Sequence, residues 1–132
     1  MAISFAQSFP DWDIERCDKY IRQAYKTCPD YCFAAIDNKQ KILGAIFCKS
    51  SPYNKSEMLI IELLQIKKEH QKRTVGTLLL KEVIEKARKN NVAHIGMLAF
   101  DKKKFPLNWF KRIGFKETGW IELAAKTKKL KA

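Results

Sequence analysis

The sequence has no run of apolar residues long enough to span a membrane. It also has little histidine: His70 and His94 are the only two. The four cysteines, Cys17, Cys28, Cys32 and Cys48, form no Cys-x-x-Cys pair, since Cys28 and Cys32 have three residues between them. So sparse a donor set argues against a closed zinc site, and no metal is expected. The thiols are expected to be reduced and packed, which favours a cytoplasmic setting. The first residues lack the basic and apolar regions of a secretory leader, and none is expected. Acidic residues are also scarce. Asp and Glu total 14 against 26 Lys and Arg, a net charge of +12. Such a field attracts polyanions and disfavours polyamines or lysine-rich tails as ligands, unless their groove is locally acidic. No zinc-finger spacing or aromatic-basic RNA motif accompanies the charge, so nucleic-acid binding has no motif behind it.

What is present fits one domain of 132 residues, residues 1–132, able to bury a core without disulfides. Residues 2–6 read as a short strand and 11–27 as a helix, with Ile14, Cys17, Ile21, Ala24 and Tyr25 on one face and Asp11 as a cap. Tyr31–Ile36 and Ile42–Lys49 read as strands joined by the turn-forming Asp37-Asn38-Lys39-Gln40. Ser50–Ser56 reads as a loop and Met58–Ile66 as a strand interrupted by Glu62 and Gln65. Val75–Lys89 is the strongest helix, with Val75, Leu78, Leu79, Val83 and Ala87 as its buried stripe and Glu82–Lys86 and Glu85–Lys89 as outer pairs. Asn90-Asn91 stops it. A strand over Val92–Phe100, a helix over Phe105–Arg112, a strand over Phe115–Leu123 and a basic tail over 126–132 complete the chain. Antiparallel strands followed by strand–helix–strand–helix–strand make a mixed α/β class.

The stretch with the most chemistry runs from Glu62 to Thr77, where a strand passes through a short polar turn into the strong helix. First-turn amides lack intrahelical partners and, with the helix dipole, form a seat for phosphate. Lys72 and Arg73 add positive charge, and Gly76 permits close backbone approach. On the residues alone, an ordinary turn with solvated charges is the other reading. Glu62 interrupts an apolar strand, where burial raises a carboxyl towards neutrality and suits it to proton removal. Its alternative is a place on the solvent face of the sheet.

Gln71-Lys72-Arg73-Thr74-Val75-Gly76 resembles the Gln/Arg-x-x-Gly-x-Gly/Ala motif of the GNAT superfamily of N-acetyltransferases. Glu62…Ile66 resembles the Glu-x-x-x-Val/Ile that leads into it, and Trp109-Phe110-Lys111-Arg112-Ile113-Gly114-Phe115 resembles the closing Leu-Tyr-x-Lys-x-Gly-Phe helix. Both motifs stand in the family's order, and the resemblance covers residues 31–123. It implies a mostly antiparallel sheet that splays at the cofactor site, with helices on both faces. It implies acetyl-CoA as acetyl donor and a primary amine, on a small molecule or a protein, as acceptor. The backbone of Leu64, Gln65 and Ile66 is then expected to pair with the pantetheine arm, an amide near Ile66 facing the thioester oxygen. The amides of Lys72, Arg73, Thr74, Val75, Gly76 and Thr77 are expected to hold the pyrophosphate. Glu62 is the expected general base. The chain departs from the family pattern at Thr74, where a glycine is usual and the hydroxyl is free to cap the helix or meet a phosphate. It departs again at Phe110 and Lys103, where a tyrosine and an asparagine are usual. Those departures leave a second reading, a weakly active or inactive module that binds CoA or an anionic partner on the same fold.

Overall fold

The structure, a computed structural model, describes residues 13–53, 56–71, 74–99 and 107–131. Helix α1 spans Ile14–Thr27. Its N-cap is Asp13, whose carboxylate accepts the Arg16 N–H at 2.7 Å. The expected cap Asp11, and the expected strand 2–6, lie outside the described residues. The inward face of α1 carries Cys17, Tyr20, Ile21 and Ala24, while Tyr25 is exposed rather than buried.

Strands β1 (Cys32–Ile36) and β2 (Ile42–Tyr53) form the expected hairpin. Asp37 holds its turn by accepting the Lys39 and Lys41 amides at 2.7 and 3.0 Å. Most of the expected loop Ser50–Ser56 is strand, residues 54 and 55 lying outside the described residues. Strand β2 runs on to Tyr53, and β3 (Ser56–Ile66) begins opposite it, with Pro52 paired to Glu57. Proline is tolerated because β2 has passed the end of β1, so among the described residues its ladder there has one side only.

Helix α2 spans Val75–Lys89, with the bounds the periodicity predicts. Its buried stripe is Val75, Leu79, Leu80, Val83 and Ala87; Leu80 takes the place expected for Leu78, which is 58% exposed. Asn91, at φ 57°, ends the helix in a left-handed residue, and the Val92 amide returns to the Ala87 carbonyl at 2.8 Å. Lys86 does not serve the outer face as expected. Its ammonium meets the Asp30 carbonyl and lies over the Tyr31 and Phe33 rings at 5.4 and 5.6 Å. Strand β4 (His94–Met97) follows, shorter than expected.

The sheet order is β1-β2-β3-β4, antiparallel except for the β3–β4 pair. Helix α1 packs on one face, over Ala45, Phe47 and Leu63. Strand alternation turns Phe33 and Ile46 to the other face, where α2 lies across β1, β2 and β3.

The chain divides into two compact units, Met1–Leu98 and Ala99–Ala132. In the second, helix α3 (Leu107–Ile113) ends at Gly114, whose φ of 127° suits only glycine. The Phe110 ring packs against Trp109 and edge-on to Phe115, centroids 4.7 and 5.6 Å away. The expected strand Phe115–Leu123 does not form. Gly119 takes a left-handed turn at φ 86° in its middle, which breaks the extended alternation, and Trp120 is 88% exposed.

Candidate active site

Two irregularities in β3 build the site. The first is where its parallel partner stops. β3 pairs with β4 from Met58↔His94 to Ile61↔Met97, and no described strand continues that ladder. On its other side β3 stays paired with β2 as far as Ile66↔Gly44. The segment Glu62–Ile66, with Leu64, Gln65 and Ile66, therefore stays paired to β2 while extending past the last β3–β4 pair of the described residues.

The second irregularity is a bulge. Phe47 pairs with Leu63 but Cys48 pairs with Ile61, leaving Glu62 as the extra residue. The bulge brings Glu62 to the same side of the sheet as Leu63, under α1. There Glu62 Oε2 accepts the Tyr20 hydroxyl at 3.1 Å, and Oε1 lies 2.6 Å from Lys49 Nζ. The apolar surroundings expected for Glu62 are thus replaced by a phenol and an ammonium, and its side chain keeps 26% exposure. It faces neither the open solvent side of a sheet nor a dry pocket. Burial, with the carboxylate of Glu62 alongside, pushes the Tyr20 phenol up to about 12.

Tyr20 and Lys49 are the residues that sequence reasoning missed. Tyr20 follows Cys17 by three residues and so shares its helix face. Lys49 sits opposite Ile60, one residue beyond the bulge in β2. Both positions are readable, but their meeting with Glu62 depends on the bulge.

Beyond Ile66 the chain turns sharply. The Lys67 amide donates to Leu43 O at 2.9 Å, Lys68–His70 form a single 3₁₀ turn, and the Gln71 side-chain amide donates to Ile66 O at 3.1 Å. Gln71, the first residue of the motif, thereby ties the turn to the end of β3. Lys72 and Arg73 lie outside the described residues. Thr74 is the N-cap of α2, in the left-handed region at φ 66°, ψ 1°. The motif's glycine matches that conformation, and here a β-branched residue adopts it at a cost of about 1–2 kcal/mol. Its hydroxyl does not cap the helix, contrary to one of the expectations for it. The amides of Val75, Gly76 and Thr77 lie in the first helical turn, where no intrahelical carbonyl is available to them.

His70 is half-buried in the turn and His94 exposed at the start of β4. Among the described residues, no group of three histidine, cysteine or acidic side chains is placed to hold a metal ion. Nor is any helix among them long and apolar enough to cross a membrane. All four thiols are free, with Cys17 and Cys48 buried.

The sequence matches the profile of the Acetyltransferase (GNAT) family over residues 2–115, most of the chain. The chain belongs to the GNAT acetyltransferase family. Solved GNAT structures share its fold. A probable acetyltransferase superposes with a TM-score of 0.72 at 14% identity, covering 93% of this chain and 85% of that one. A putative acetyl transferase from Pyrococcus furiosus gives a TM-score of 0.69 at 14% identity, covering 87% and 80%. The NatC complex bound to Gag peptide and CoA gives 0.67 at 20% identity, covering 80% and 67%. At these identities the likeness is one of fold. No curated protein matches the sequence. The mixed four-stranded sheet with its helices agrees with that fold.

Proposed function

We propose that the protein is an N-acetyltransferase that moves an acetyl group from acetyl-CoA to a primary amine by direct attack. One observation carries this reading. The bulged Glu62, the end of β3 beyond its last pair with β4 and the N-terminus of α2 follow one another along one stretch of chain, in the order that such a reaction needs.

In this reading the backbone of Leu64, Gln65 and Ile66 pairs with the pantetheine arm. Amides from Lys72, Arg73, Thr74, Val75, Gly76 and Thr77 hold the pyrophosphate, where the helix dipole favours negative charge. An alkylamine arrives protonated, and Glu62 takes the proton so that the nitrogen lone pair can attack the thioester carbon. The C–N bond forms, the C–S bond breaks, the nitrogen gives its second proton to solvent, the thiolate leaves, and Glu62 then returns its proton to solvent. Phe110 has no proton to supply, so solvent protonates the thiolate, whose ordinary pKa of about 8.5 makes it a tolerable leaving group. The acceptor must compete with Lys49 for Glu62. Together with the net charge of +12 this favours a neutral or acidic amine-bearing molecule, or a protein amine, over a free polycation. The free thiols accord with a cytoplasmic setting.

The test is acetyl-CoA with a panel of amines, followed by thiol release. Turnover that is lost in Glu62→Gln while coenzyme A affinity is kept supports the enzyme. Thr74 in place of glycine and Phe110 in place of tyrosine favour a second reading, a CoA-binding module without turnover. Affinity for coenzyme A with no thiol release on any amine would establish that one instead.

A further inference from the structure

Resting on that reading, we propose that Lys49 is itself an acetyl acceptor, modified by this chain's own site. Lys49 Nζ already occupies the position that an incoming ammonium must take, 2.6 Å from Glu62 Oε1. The other lysine–carboxylate pairs among the described residues, Lys81–Glu85 at 3.9 Å and Lys111–Glu117 at 3.5 Å, are looser and have more exposed carboxylates. Of these pairs, only at Lys49 does the carboxylate also stand one residue past the last described β3–β4 pair, Ile61↔Met97.

Three features hold Lys49 there. Its backbone is fixed in the β2–β3 ladder opposite Ile60. The bulge between Phe47 and Cys48 turns Glu62 towards it. Tyr20 holds the second carboxylate oxygen at 3.1 Å, which fixes the direction of the first. The ammonium is therefore placed at the base by structure rather than by diffusion, the condition under which an intramolecular reaction gains its rate.

The step balances without any further reagent. Glu62 accepts a proton from the Lys49 ammonium, and the freed lone pair attacks the thioester carbon of acetyl-CoA. The C–N bond forms and the C–S bond breaks. The nitrogen gives up its second proton to solvent as the coenzyme A thiolate leaves, the thiolate takes a proton from solvent, and Glu62 returns its own proton to solvent. The product is a neutral amide that no longer pairs with Glu62, so the carboxylate is released to an external ammonium. Self-modification would thus convert a site closed by its own lysine into one open to an acceptor.

The experiment incubates the whole protein with acetyl-CoA and no added amine, and follows each lysine by peptide mass mapping. Lys49 is expected to gain one acetyl group at least about tenfold faster than any other lysine, with a rate constant independent of protein concentration. Glu62→Gln is expected to slow the reaction at Lys49 by roughly 10²–10⁴-fold, the usual worth of a positioned base. Lys49→Arg keeps a cation beside Glu62 and should lose the modification there while melting at the temperature of the parent. Acetylation spread evenly over surface lysines, or unchanged in Glu62→Gln, would overturn the proposal. So would an unmodified Lys49 in protein that binds coenzyme A and acetylates added amines, and that outcome leaves the transferase reading standing. No heat on titration with coenzyme A would remove both.

Discussion

Tyr20 donates its hydroxyl to Glu62 at 3.1 Å, a bond between α1 and β3 that spans 42 residues of chain. It is the contact through which the helix on one face of the sheet orients the carboxylate at the parting of the strands. Tyr20→Phe is expected to cost about 1 kcal/mol of stability, since the bond is charge-assisted but partly exposed. The phenol also gives a pH signature. Its pKa is raised from 10.0 to about 12 on folding, so the folded state holds this proton more tightly. That stabilisation is complete below pH 10.0 and is lost as pH rises through about 12. Denaturation midpoints measured across this window should fall less steeply in Tyr20→Phe than in the parent.

Thr74 pays for its left-handed conformation at the entrance to α2. Thr74→Gly removes strain of about 1–2 kcal/mol and adds about 0.4–1 kcal/mol of unfolded-state entropy cost. The net expectation is a gain of up to about 1 kcal/mol, seen as a rise in melting temperature of roughly 2–4 °C. Coenzyme A affinity, measured by titration calorimetry, should rise as well, because the cradle amides are then held without strain. A lower melting temperature would show that threonine is accommodated at no cost.

Gly44 lies opposite Ile66 at the end of the β2–β3 ladder. An added Cβ there would fall 2.6 Å from Ile66 Cδ1 and 2.8 Å from the Gln65 carbonyl oxygen. Gly44→Ala must therefore push the backbone of Gln65, at a cost of about 1–3 kcal/mol. It should lower both the denaturation midpoint and the affinity for coenzyme A, since the displaced residues belong to the end of β3 proposed to pair with the pantetheine arm. A parent-like midpoint would count against the close approach.

Leu80 is 2% exposed, in the layer between α2 and the sheet. Leu80→Ala is expected to cost about 2–5 kcal/mol through lost burial and the cavity left behind. The neighbouring Leu78→Ala, at a position 58% exposed, should cost well under half of that. Urea titration of the two variants distinguishes the observed stripe from the one that periodicity predicts.

Burial pushes the Cys48 thiol up to about 12, and it raises Cys17 too. Neither forms appreciable thiolate near neutral pH, so a disulfide reagent should leave both untouched in the native protein and modify all four cysteines in denaturant. Rapid native modification of Cys48 would contradict the packing of β2 against α2.

Much of the fold was legible because local patterns fixed it. The stripe from Val75 to Ala87 has helical period and clear stops, so α2 emerged with the right bounds. Asp37-Asn38-Lys39-Gln40 can satisfy its own backbone, so the first hairpin was readable. Where reading failed, the deciding term was not local. Pro52 is compatible with a strand only because β1 has already ended beside it. Residues 115–123 alternate like a strand, but Gly119 turns left-handed and no ladder forms.

The sequence by itself determined the family, through two motifs at set spacing, and named Glu62, the strand end from Leu64 to Ile66 and the helix N-terminus as the places to look. Only the tertiary structure decided what Glu62 touches. A one-residue bulge between Phe47 and Cys48 sets which side of the sheet Glu62 faces, and that register is a property of the β2–β3 pair rather than of either strand. Tyr20 and Lys49 then meet it from elements 42 residues and one hairpin away, and no local propensity encodes such a meeting.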